Sequence, residues 1–134
     1  VRLNERTSYI LKRLEMDYYD GAEVNLDELD REHIAPRASF TAKKYSAWPS
    51  TLGTTEAQFE QFRDKLGNLT LLETGKNIAI GADPFEKKKE AYAESKVNMN
   101  QQLYEDYDSW GTDEIEQRTS ELANAMVQIW NLDA

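Results

Sequence analysis

The run Asp30-Arg31-Glu32-His33-Ile34-Ala35-Pro36 constrains this chain more than any other stretch, because it holds the only histidine and closes on a proline. An acid directly precedes the histidine, and Ile34 and Pro36 follow it, the pattern of a short strand that ends in a turn. Successive residues of a strand point to opposite faces, so Glu32 and His33 are expected on opposite sides of a sheet. A carboxylate and an imidazole so placed can divide two tasks, one holding a cation and the other moving a proton, without competing for the same lone pairs. Further on, Leu66-Gly67-Asn68-Leu69-Thr70-Leu71-Leu72 predicts a second strand from Asn68 to Glu73. Thr74-Gly75 then reads as a turn that delivers Lys76 and Asn77 near the start of the next helical segment.

The rest of the chain reads as helices around these pieces. Leu3, Ile10, Leu11 and Leu14 recur at helical spacing and predict a first helix over residues 4–16 with one apolar stripe. Asp17-Tyr18-Tyr19-Asp20-Gly21 breaks it with turn formers. Residues 37–53 show no period and are expected to form an irregular loop over the site, anchored in the core by Trp48, whose alternative role is stacking on a base. Thr55-Glu56-Ala57-Gln58 has capping-box form. The helix it predicts turns Phe59, Phe62 and Leu66 to one face and ends at Gly67, where a left-handed residue is wanted. Asp83-Pro84-Phe85-Glu86 reads as a helix start with a capping Asp and Pro at the first helical position. That helix runs to about Ser95 and carries Lys87, Lys88 and Lys89, of which at least one faces the groove if the groove lies beside it. A shorter helix is expected around residues 101–107. Thr112-Asp113-Glu114 starts a last helix whose stripe Ile115, Thr119, Leu122, Met126 and Ile129 suits core packing, or alternatively a partner surface. No repeat and no linker divides the chain, so residues 1–134 are read as a single domain.

Composition narrows the function classes. The absence of cysteine, with a single histidine, excludes disulfides and zinc sites built from thiolates or imidazoles, and is compatible with a reducing cytoplasm. No segment has the apolar length to cross a membrane and no signal peptide is visible. The chain opens on Val-Arg-Leu-Asn with a helix almost at once, the form of a fragment cut from a longer protein. A net charge of -9 argues against binding a polyanion, yet its distribution matters more than its sum. Between His33 and Lys89 stand 9 bases and 6 acids, whereas the flanks hold 7 bases and 19 acids. A basic centre between acidic flanks allows a nucleic-acid face on the central segment; a merely solvated surface is the other reading.

In order, Glu32-His33-Ile34-x-Pro36, Gly67-Asn68-Leu69-Thr70-Leu71-Leu72, Asn77, Phe85-x-x-Lys88, Tyr92-x-x-Ser95, Trp110, Ile115-x-x-Arg118 and Trp130 resemble the HNH or ββα-metal nucleases. Within that class the series resembles the C-terminal domain of GmrSD-type restriction endonucleases, over about residues 9–130. Arg37 departs from the pattern, since family members often carry Gln there, which puts a nucleic-acid contact in doubt. The resemblance implies a mostly helical α+β domain in which a two-stranded antiparallel hairpin and an adjacent helix form the metal motif, wrapped by N-terminal and C-terminal helices. It further implies a DNA partner, a role in restriction or anti-phage defence, and a ParB-like nucleotide-hydrolysing domain upstream.

The chemistry follows from roles the residue types can fill. Neutral His33 is the candidate general base, its ordinary pKa of about 6.5 allowing it to take a proton from water. Glu32 and Asn77 offer hard oxygen ligands to one divalent ion, best magnesium, with manganese as a substitute. By resemblance, the Asn68 amide ties the histidine's loop to the second strand and orients the imidazole, a catalytic part in the sense of holding the base. Asp30 is a possible outer acid behind the metal, and Arg37, Lys76 and Lys88 are the candidate nucleic-acid contacts. The rival readings are a catalytically degenerate module of the same fold that binds nucleic acid or protein, and a nuclease for RNA or single strands, since such a site meets a phosphate and not a base.

Overall fold

The short segment Leu29–His33 and the largely apolar run Leu69–Leu72 form two strands, and in the computed structural model they pair with each other. β1 (Leu29–His33) lies antiparallel to β2 (Leu69–Glu73), with Glu32 opposite Thr70 and His33 opposite Leu69. The structure describes residues 3–21, 25–81 and 83–130, without the side chains of residues 3, 4, 78 and 79. Around the sheet stand α1 (Leu3–Asp17), α2 (Trp48–Leu52), α3 (Glu56–Phe62), α4 (Thr74–Ile80), α5 (Phe85–Glu94), α6 (Asn98–Asp106) and α7 (Thr112–Trp130). The fold is α+β and mostly helical, as the sequence predicts.

Two apolar clusters divide the interior. One gathers Ile34, Trp48, Phe59, Leu72, Phe85, Tyr92, Trp110 and Ile115; the other gathers Leu11, Leu14, Leu69, Leu71, Val97, Met99, Leu122 and Ala125. Leu72 and Leu71 are neighbours in β2 yet serve different clusters, the consequence of a strand's period of two. α7 serves both, through Ile115 and through Leu122 and Ala125, so its stripe is core and not a partner surface. Ile10, Leu11 and Leu14 of the first helix pack as the spacing predicts, while the side chain of Leu3 lies outside the described residues.

Five local expectations change. Residues 37–53 are not irregular throughout: a 3-10 turn at Lys43–Tyr45 leads into α2, which has Pro49 in its first turn and Gly53 at φ 62 after its last residue. Trp48 is buried and its Nε1 donates to the Asp83 carbonyl at 3.2 Å, so it is the core anchor. Gly67 is not a left-handed cap but part of a 3-10 turn (Leu66–Asn68), where a Cβ would stand 2.2 Å from the Ile115 carbonyl oxygen and 2.5 Å from the Thr119 nitrogen. The glycine is needed for a close approach of backbone to α7. Thr74-Gly75 is the first turn of α4, which follows β2 directly, and Pro84 occupies the cap position of α5 without a side-chain cap from Asp83. α6 starts earlier than its local sequence suggests because Glu15, on α1, reaches its first turn, accepting from the backbone N–H of Asn98 at 2.7 Å and of Met99 at 2.9 Å.

Candidate active site

β1 carries the site because its alternation separates two carboxylates from the histidine. Asp30 and Glu32 share one face of the strand, and His33 takes the other at the strand's end. A cleft of about 390 Å³ opens there, lined by Arg31, Glu32, His33, Arg37, Tyr45 and Asn77 among others.

His33 is half-buried, and its Nε2 lies 2.9 Å from Asp64 Oδ1. Asp64 in turn receives three charge-assisted hydrogen bonds from Arg37, Nε to Oδ1 and Nη2 to Oδ2 at 2.9 Å each and Nε to Oδ2 at 3.2 Å. The guanidinium holds the Asp64 carboxyl at a pKa of about 2, and burial pushes the His33 imidazole below its ordinary value. Near neutral pH the histidine is therefore uncharged and the aspartate ionised. Among the described residues Nδ1 of His33 has no hydrogen-bond partner, so that nitrogen of the ring is open.

Asn68 is fully buried and uses every donor and acceptor it has. Its Oδ1 accepts from the Ala35 N–H at 2.9 Å and from Trp110 Nε1 at 3.0 Å, and its Nδ2 donates to the carbonyls of Ala35 at 3.0 Å and Arg63 at 2.8 Å. Its backbone carbonyl also accepts from the Ile34 N–H at 2.8 Å. One amide thus joins the turn after His33 to the segment that carries Asp64. Arg118 supports the Leu66–Asn68 turn from α7, donating to the carbonyls of Gly67 at 2.8 Å and Leu69 at 2.7 Å.

Glu32 points into the protein and is only 5 % exposed. Its Oε1 accepts from Lys88 Nζ at 3.2 Å and its Oε2 from the Tyr92 hydroxyl at 2.8 Å. Lys88, 1 % exposed, also donates to the carbonyls of His33 at 3.2 Å and Ile34 at 2.9 Å and lies over the Trp48 ring. Burial pushes the Glu32 carboxyl up and the Lys88 ammonium down, each opposed by the attraction of the other. Lys88 is thus an interior cation bound to β1 rather than a solvated charge on an open helix face. Asn77, on α4, lines the cleft and donates through Nδ2 to Asp30 Oδ2 at 3.3 Å, while the Thr74 hydroxyl meets Asp30 Oδ1 at 3.2 Å. Lys76 stands apart, in a groove between α4 and α5 with Lys87 and Glu90.

Of the residues expected at the site, the cleft therefore gathers Glu32, His33, Arg37, Asn77 and Lys88, with Asn68 buried behind it and Lys76 outside it. Asp64 is the residue that sequence reasoning missed. Thirty-one positions separate it from His33, and an acid following a helix end carries no local mark.

A divalent ion asks for oxygen donors and tolerates many waters. Glu32 and Asn77 are such donors, and an ionised carboxylate has about four lone-pair sites, of which Lys88 and Tyr92 use two. The two side chains fit a hard divalent cation in donor type. Among the described residues no group of three or more His, Cys, Asp or Glu is placed to hold a metal, and no helix is long and apolar enough to cross a membrane.

Comparison with known proteins gives one family. The model described as "GmrSD restriction endonucleases, C-terminal domain" matches residues 2–125. Neither a curated protein nor a solved structure matches the chain significantly.

Proposed function

Because the chain belongs to the family of GmrSD restriction endonuclease C-terminal domains, we propose that it is a metal-dependent endonuclease domain of the HNH type that nicks or cleaves DNA. The observation that carries this reading is the state of the single histidine: an uncharged imidazole at a cleft, with Nε2 on an ionised carboxylate and Nδ1 without a partner among the described residues. Such a group can take the proton of a water attacking phosphorus at neutral pH. Asn68 contributes by fixing the backbone on either side of the base. Glu32 and Asn77 would hold one magnesium or manganese ion, and when bound the ion supplies charge neutralisation to the phosphate and to the departing 3′ oxygen. Arg37, more than half exposed at the cleft mouth, is the side chain best placed to meet the sugar-phosphate backbone. An upstream ParB-like nucleotide-hydrolysing domain and a cytoplasmic location in a restriction or anti-phage system complete the proposal.

The test is nicking of supercoiled plasmid by the domain, with magnesium, manganese or chelator, beside His33→Ala. Cleavage is expected with either metal and is lost with chelator and in the variant, by a factor on the order of 10² or more. Equal nicking by His33→Ala would remove the histidine from the reaction.

A second reading has one observation in its favour. Both oxygens of Glu32 already accept hydrogen bonds from Lys88 and Tyr92. On that reading the domain is a catalytically degenerate module that binds nucleic acid or protein through the same fold. Calorimetric titration with manganese separates the two, because a binding relic gives no heat that disappears in Asn77→Ala.

A further inference from the structure

We propose that Asp64 is the positioning residue of the single histidine, holding its proton on Nε2 and so leaving the lone pair of Nδ1 open at the cleft. The inference rests on the nuclease reading only for the use to which Nδ1 is put. Its geometric basis is independent of that use.

An ionised carboxylate can only accept hydrogen bonds. Asp64 Oδ1 is 2.9 Å from Nε2, so Nε2 carries a proton, and in the uncharged ring the lone pair is then on Nδ1. Arg37 keeps the carboxylate ionised and fixes its plane, because Nε and Nη2 grip the two oxygens side by side. Neither partner could hold this arrangement from a mobile segment. The backbone on both sides is tied by one buried amide: Asn68 Nδ2 donates to the Arg63 carbonyl, the residue before Asp64, while its Oδ1 accepts from the Ala35 N–H, two residues after His33. Asp64 itself is half exposed, so its carboxylate lies at the surface rather than in the core. A side chain in that position contributes little to folding, yet it decides which nitrogen of the base is available.

The decisive variant is Asp64→Asn. Arg37 offers only donors, so the new amide turns its oxygen to the guanidinium and its NH₂ to the ring. Nε2 must then accept, and the proton moves to Nδ1, closing the lone pair that faces the cleft. Asp64→Ala removes the partner altogether and leaves the ring proton to exchange with water.

The chain has one histidine, so nitrogen-15 spectra of its ring are unambiguous. The native domain is expected to show a pyrrole-type Nε2 bearing a protected proton and a pyridine-type Nδ1. Asp64→Asn should exchange the two types, and Asp64→Ala should lose the protected proton, with thermal melts of both variants close to the native one. Plasmid nicking by Asp64→Asn should fall on the order of 10²- to 10⁴-fold, the loss expected when a base is held in the wrong tautomer. The same Nε2–H signal, equally protected in all three proteins, would overturn the proposal. A native domain that shows the expected tautomer but nicks no DNA would leave Asp64 as the positioning residue and sink the nuclease reading instead.

Discussion

Asn68 shows how one residue can hold a site that it does not touch chemically. Four side-chain hydrogen bonds meet at an amide with no exposed surface, and three of their partners are buried backbone groups or the indole N–H of Trp110. Removing the amide strands those groups without water, at about 1–3 kcal/mol each. Asn68→Ala is therefore expected to lower unfolding stability by on the order of 3 kcal/mol or more, read from urea denaturation. A loss under about 1 kcal/mol would mean that the turn after His33 is held by its strand pairing alone. The Lys88–Glu32–Tyr92 group is its charged counterpart. An ammonium bound to one carboxylate and two carbonyls joins α5 to β1, an arrangement whose parts are costly to bury singly.

At the scale of elements, two glycines distinguish crowding from backbone conformation. Gly67 sits where β2 is entered under α7, and any side chain there meets α7 backbone. Gly53 ends α2 in the left-handed region with open space around it. Gly67→Ala should cost about 3 kcal/mol or more, because a helix must shift. Gly53→Ala should cost only about 1–2 kcal/mol, the strain of a left-handed alanine. Thermal melts of the two variants check the order, and equal losses would refute the crowding argument. The trans cap of α6 by Glu15 belongs to the same scale, since a carboxylate on α1 determines where a distant helix begins.

For the whole molecule, the question is how a chain of net charge -9 would approach the DNA proposed as its substrate. The exposed Lys43 and Lys44 form a turn with Tyr45, a wall residue of the cleft, so they place two cations beside the site. Each phosphate contact contributes about 0.9 to the slope of log affinity against log salt. Lys43→Gln with Lys44→Gln should flatten that slope by about 1–2 in a salt series of duplex binding, and an unchanged slope would place the backbone contacts elsewhere. The sequence by itself determined the two strands and the helix stripes, because periodicity and turn chemistry act between near neighbours, and it carried the series of residues from Glu32 to Asn77 whose family resemblance implied the fold class. Tertiary structure alone decided that Asp64 meets His33, that Lys88 turns inward to Glu32, that Lys76 faces another groove and that Gly67 answers to α7. Each of these depends on how elements far apart in the chain dock, and docking is set by the summed burial of two apolar clusters rather than by any local pattern.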